Sequence, residues 1–195
     1  MYFFTSDLHL NSKQTLITDN RPFKTVEKFN EYLIKIWNKQ VTKKDTIYIV
    51  GDFFDCHDEK NNDWEKCFNF LKKIKAKIIL ILGNNEMRIV KYFFNDNFES
   101  FKDYCIKKGF FDVKLNDSIQ ICGQVFFITH KPKDCSNYCL NLFGHSHRAM
   151  GVYKSFGFNI GCDLNHFKLY SEKDIEFLIY MKNTYWDKDE NLKLN

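Results

Sequence analysis

Five short segments constrain this chain more than anything else in it: Asp7-Leu8-His9, Gly51-Asp52, Gly83-Asn84-Asn85-Glu86, Thr129-His130 and Gly144-His145-Ser146-His147. Each sets Asp, Asn or His directly after a run of β-prone apolar residues. Oxygen and imidazole donors delivered from several strand ends to one edge of a sheet can enclose two divalent cations, the usual physical solution for in-line displacement at phosphorus. Taken singly, an Asp-x-His or a Gly-Asn more often marks a turn. The conjunction carries the reading, and Gly144-His145-Ser146-His147 is its strongest member.

Between these segments the apolar pattern switches from strand to helix and back. Tyr2–Thr5 reads as a first strand. From Thr25 onward Val26, Phe29, Leu33, Ile36 and Trp37 recur at helical spacing, largely opposite Glu27, Lys28, Lys35 and Lys39, which predicts an amphipathic helix with its apolar face in the core. Thr46–Val50 is too continuously apolar for a half-exposed strand and predicts a central strand covered on both faces. A helix from Asp63, with Trp64, Cys67, Phe68 and Leu71 on one face, leads to a buried strand over 77–82. That alternation predicts a parallel sheet with Asp7, Asp52 and Asn84 outside the carboxyl ends of its strands. Residues 87–107 read as one or two helices broken near Asn95-Asp96-Asn97. The short runs 111–115, 118–122, 125–129, 140–143, 151–153 and 156–160 predict a second, mostly antiparallel sheet. Ser171 opens a last helix, with Asp174 as its capping-box partner.

At 195 residues the chain is expected to form a single domain over 1–185, with a core that needs no disulfides, followed by a polar tail over 186–195. A net charge of +4 spread over interspersed Lys and Asp/Glu provides no basic stripe for nucleic acid, so the Lys-rich surface reads as solubilising. Seven Cys at irregular spacings, with no signal peptide, predict reduced thiols in a cytoplasmic protein. Cys135 and Cys139 lack the second pair that a tetrahedral zinc site requires and read as ordinary small residues. No apolar run reaches the length of a membrane span, so a soluble protein without a membrane partner is expected. The oligomeric state stays open.

The ordered set Asp-x-His, Gly-Asp-x-x-Asp, Gly-Asn, His and Gly-His-x-His resembles the calcineurin-like metallophosphoesterases. The opening Tyr2-Phe3-Phe4-Thr5-Ser6-Asp7, Asn20-Arg21-Pro22-Phe23, and Asn159-Ile160-Gly161-Cys162-Asp163-Leu164-Asn165 look like a compact bacterial and phage branch, so the resemblance covers about residues 1–180. It implies an α/β fold, a four-layer α/β/β/α sandwich of two mixed sheets flanked by helices, with a two-metal centre. Carried over residue by residue, it implies that Asp7, His9 and His147 hold the first metal, that Asn84, His130 and His145 hold the second, and that Asp52 bridges both. Two carboxylates, one amide oxygen and four imidazoles make a borderline-hard site suited to manganese, iron, nickel or zinc, a donor set that does not choose among them; manganese is the foremost expectation. The implied reaction is in-line attack at phosphorus by a hydroxide bridging two cations about 3.5–4 Å apart.

One departure from the family pattern bears on rate. Asn85 stands where the family usually has the His that polarises the phosphoryl group and protonates the leaving alkoxide. Asn85 can donate a hydrogen bond to a phosphoryl oxygen but cannot deliver a proton, and general-acid catalysis is typically worth ~10²–10⁴ in rate. His57 and His166, the remaining histidines, read as surface or loop residues. Asp55-Cys56 replaces the family's frequent Asp-Arg. Arg148, Lys131 and Arg88 are candidate phosphate contacts. The reading is therefore a metal-dependent phosphohydrolase, a phosphodiesterase in preference to a monoesterase, acting on nucleotide-like or nucleic-acid substrates, with Asp52 and Asn85 as its catalytic residues. The alternative is a catalytically weakened metal-binding scaffold or interaction protein of the same fold. A third reading, a nuclease or repair subunit, rests on Lys131 and Lys133 beside His130.

Overall fold

The computed structural model describes residues 1–57, 62–149, 151–153 and 156–186, without the side chains of 185 and 186. Two five-stranded sheets carry the fold. In the first, β1 (Tyr2–Thr5), β2 (Thr46–Val50), β3 (Lys77–Ile81) and β4 (Asp112–Lys114) run parallel, and β10 (Tyr170–Ser171) closes the edge antiparallel to β1. The second has the order β5 (Asp117–Ile121), β6 (Gln124–Ile128), β7 (Leu140–Phe143), β9 (Gly157–Asn159) and β8 (Val152–Tyr153). Its inner pairs β6–β7 and β7–β9 are parallel and its outer pairs antiparallel.

Period-two alternation sorts the first sheet's side chains into two cores. Phe3, Ile47, Ile49, Ile78 and Leu80 face the helices and pack with Phe29, Leu33, Trp37, Ile89 and Phe101. Phe4, Tyr48, Val50, Ile79 and Ile81 face the second sheet and pack with Phe126, Ile128, Leu142 and Phe158. Continuous apolarity in β2 thus reflects burial on both faces, as expected. Helix α2 (Val26–Gln40) starts where the Thr25 side chain accepts from the Lys28 N–H, buries Phe29, Leu33 and Trp37, and is pinned by the Trp37 Nε1–H donating to the Phe167 carbonyl at 2.9 Å. Helices α4 (Asn84–Phe94) and α5 (Phe98–Lys108) flank the predicted break, where Asn95 takes a left-handed conformation. The last helix, α6 (Glu172–Met181), has the Ser171/Asp174 capping box and adds Ile175 to the core between the sheets.

Three expectations need correction. The strand expected over 111–115 belongs to the first sheet: α4 and α5 form the crossover that returns the chain parallel to β3, and the Phe111 N–H donates to the Ile78 carbonyl at 2.8 Å. The second sheet is mixed instead of mostly antiparallel, because the segments joining β6 to β7 and β7 to β9 are crossovers too long for hairpins. The helix expected from Asp63 begins as a tight 3₁₀ turn, Asp63–Cys67, before the single turn α3 (Phe68–Leu71), although Trp64, Cys67, Phe68 and Leu71 are all buried as predicted. A short helix, α1 (Lys13–Thr18), was not foreseen. The tail beyond 186 lies outside the described residues. Among the described residues no helix is long and apolar enough to cross a membrane.

Candidate metal centre

Strand ends from both sheets meet at one point, tied by the bridge between Ser6 and Gly161. Clusters of potential ligand atoms form there, Asp7/His9/His147 and Asp52/His130/His145, with the atoms of each within 4.8 Å of one another, and His147 also belongs to a third such group with Asp19 and Asp163. Asp52 joins the first two. Its Oδ2 lies 3.5 Å from His9 Nε2 and 3.5 Å from His130 Nε2. Asn84 sits within the second cluster, its Oδ1 2.9 Å from His145 Nδ1 and 3.2 Å from His130 Nε2.

The backbone works to aim these groups. Asp7, His9, Asp52, His145 and His147 all adopt positive φ, between 42° and 69°. Such conformations are uncommon outside glycine, cost about 1–3 kcal/mol each when strained, and concentrate at functional sites. Space is also reserved: a Cβ at Gly83 would collide with Asp52 Oδ1, and one at Gly144 with Ser6 Oγ and Asp7 Oδ2. Glu86, fully buried in the first turn of α4, accepts backbone N–H bonds from Gly83 (2.7 Å), Asp52 (2.8 Å), Phe53 (2.9 Å) and Phe54 (3.1 Å). It therefore fixes the loop that carries Asp52.

Two of the imidazoles are oriented by hydrogen bonds from behind. The Val50 carbonyl, 2.8 Å from His130 Nδ1, can only accept, so Nδ1 carries the proton and Nε2 points inward. The Asp19 carboxylate accepts from His147 Nδ1 at 2.7 Å, leaving Nε2 toward Asp7. Asp55 Oδ1 stands 3.5 Å behind His9 Nδ1 and 3.0 Å from His57 Nε2. Asp7 accepts from Ser6 Oγ–H at 2.6 Å and from the His145 N–H at 3.0 Å. Burial opposes the charge of Asp52, yet His130, His9 and the Asn85 N–H hold it well below the usual carboxylate range. Burial likewise opposes protonation of His130, and Asp52 with Asp7 overcomes this and raises it to about 9. The same balance, with Asp55, Asp52 and Asp7 as the anions, raises His9. Burial, then the His130 charge, lowers His145. Burial and the neighbouring Asp52 charge push Glu86 up to about 7.

The other candidates are placed differently. Asn85 is only 2% exposed; its Oδ1 accepts from the Cys56 N–H at 3.1 Å and its own N–H donates to Asp52 Oδ1 at 3.0 Å. Exposed Arg88 is turned back onto Asn85 Oδ1 and the Cys56 carbonyl. Arg148 is exposed and donates to the Asn20 carbonyl, and Lys131 follows His130 at the rim of a cavity. His57 stands beyond Asp55 from the centre, and His166 is exposed after the turn Cys162–Asn165. The sequence reading missed the role of Asp19. It noted Asn20-Arg21-Pro22-Phe23 and the segment after Asn159 without linking them: buried Arg21 donates to both Asp163 oxygens and to the carbonyls of Asp7 and Leu8.

A sequence profile of the calcineurin-like phosphoesterases matches residues 2–190. The chain belongs to that family. An uncharacterized protein of Methanocaldococcus jannaschii is 33% identical over 95 residues, 46% of this chain and 52% of the relative, so the match spans about half the length of that curated protein. The structure of a protein of unknown function from Aquifex aeolicus superposes with a TM-score of 0.65 at 21% identity, covering 91% of this chain and 98% of that one, a likeness of fold. Yfce, a phosphoesterase from E. coli, gives a TM-score of 0.46 at 16% identity over 82% and 77% of the two chains.

Calcineurin-like phosphoesterases use divalent metals, and the residues here fit such ions. Both ring nitrogens of His9 are buried without a hydrogen-bond partner. His130 Nε2 and His145 Nδ1 converge on Asn84 Oδ1 at 3.2 and 2.9 Å, and the deprotonated imidazole that a cation requires would turn these three atoms into ligands of one ion. The donors are oxygen and imidazole; none of the cysteines enters a candidate metal cluster among the described residues.

Proposed function

We propose that the chain is a metal-dependent phosphohydrolase, a phosphodiesterase in preference to a monoesterase, acting on nucleotide-like or nucleic-acid esters. In this reading Asp7, His9 and His147 hold one divalent cation, Asn84, His130 and His145 hold a second, and Asp52 bridges them, with manganese the foremost candidate. The observation that carries it is the single oxygen Asp52 Oδ2, equidistant from His9 and His130 between two ligand clusters. Cations held there supply Lewis acidity and charge neutralisation for displacement at phosphorus.

The chain's own groups set the rest. Val50 and Asp19 keep His130 and His147 turned inward, so little reorganisation of these two is needed when an anionic ester enters. Lys131, next to His130, and Arg148, anchored on Asn20, supply positive charge for phosphate oxygens. Asn85 has no titratable proton, so esters whose leaving group departs as a stable anion are favoured substrates. A cytoplasmic setting is supported by the cysteines, none of which is joined in a disulfide among the described residues.

A metal-binding scaffold of the same fold is the second reading, favoured by the coverage of Asn85 and its engagement with Cys56. Metal-free, manganese-loaded and zinc-loaded protein assayed on an aryl phosphodiester, an aryl phosphomonoester and single-stranded DNA separates the two. Metal-dependent hydrolysis, faster on the diester than on the monoester, is expected. Binding of two ions with no turnover on any substrate selects the scaffold.

A further inference from the structure

We propose that a cavity of about 330 Å³ beside His130, at the seam between the two sheets, is the subsite for the organic group of the phosphoester, and that this group is a nucleobase-bearing one. The inference rests on the phosphoesterase reading above and names its substrate class. Its apolar lining is Leu82 after β3, Met87 on α4 and Leu115 in the turn between β4 and β5, and its polar lining includes Asn116, His130, Lys131 and the carboxylate of Asp134.

Met87 and Leu115 are 49% and 51% exposed, large apolar side chains left half in water at the edge of a polar centre. Both stand on fixed frames: the Met87 N–H donates to the Gly83 carbonyl at 3.1 Å, and the strand before Leu115 is held by the Leu82 N–H donating to the Lys114 carbonyl at 2.9 Å. His130 belongs at once to this cavity and to the ligand cluster with Asp52 and His145. A phosphoryl group at the centre can therefore direct its ester substituent between Met87 and Leu115 while Lys131 meets its charge. Apolar side chains on one hand and convergent polar groups on the other, in a cavity of this size, suit a ligand with both a ring and a charged group. Leu82, Met87 and Leu115 offer too little apolar surface for an acyl chain, but they suit a flat heteroaromatic ring, with the Asn116 amide available to its polar edge. Met87 adds an adaptable, polarisable contact.

The test is calorimetric titration of manganese-loaded protein with thymidine 5′-monophosphate and with methyl phosphate, in wild type, Met87→Ala and Leu115→Asp. Both positions are half exposed, and circular dichroism checks that the variants keep the fold. Wild type should bind the nucleotide about tenfold more tightly than methyl phosphate, and each variant should lose most of that ratio. Equal affinities in wild type, no binding of the nucleotide, or a ratio untouched by both substitutions would overturn the subsite. Absence of aryl diester hydrolysis while the ratio persists would instead overturn the enzymatic reading and leave the subsite standing.

Discussion

Asp52 and the groups behind His130 and His147 decide how the centre behaves. Asp19 touches no expected substrate atom, yet it holds His147 in the tautomer that turns Nε2 inward. Removing such a partner typically costs 10–100-fold in metal affinity. Asp19→Ala should therefore weaken manganese binding by about that factor while the thermal midpoint of the metal-free protein changes little, as titration calorimetry and a melting curve would show. Unchanged affinity would mean that His147 is not a ligand. A pH dependence follows from His130, which Asp52 and Asp7 raise against burial from 6.5 to about 9 in the absence of cations. A raised histidine stabilises the metal-free fold fully below about 6.5, and that contribution is lost as pH climbs through about 9. A cation requires the deprotonated imidazole. The gain in thermal midpoint on adding manganese should thus be smallest below pH 6.5 and grow toward pH 9. A gain independent of pH would contradict this coupling.

The start of α4 does more than cap a helix. Glu86 gathers four backbone N–H groups from two loops, and Glu86→Gln would set an amide donor against them. We expect about 2–3 kcal/mol of lost stability by chemical denaturation and weaker manganese binding, although no ligand has changed. Stability within experimental error of wild type would show that the loop holds itself. The sequence announced β1, β2 and β3 because each contains an unbroken apolar run, and α2 because its apolar residues recur at helical spacing over fifteen residues. It could not assign β4 to a sheet, since an apolar run identifies a strand but not its neighbour, and the α4–α5 crossover decides that. Helix α1 escaped notice because its six residues bury only Thr15 and Leu16, too few to show a period. The expected ligands were readable because each follows an apolar run. Asp19 follows none, and the Arg21–Asp163 pair joins positions 142 residues apart.

Neither half of the molecule owns the centre. Asp7, His9, Asp52 and Asn84 come from the ends of the parallel sheet, and His130, His145 and His147 from the second sheet. The two meet only because Phe4, Tyr48, Val50, Ile79 and Ile81 pack on Phe126, Ile128, Leu142 and Phe158. A shared carboxylate across that seam is the central claim. The most direct measurement is elemental analysis of manganese-loaded wild type and Asp52→Asn, paired with hydrolysis of an aryl phosphodiester by the same samples. Two ions per chain with metal-dependent turnover in wild type, and loss of at least one ion with loss of turnover in a still-folded Asp52→Asn, is the predicted result. A fully active, metal-free Asp52→Asn protein, or a wild type that binds no divalent ion, would contradict it.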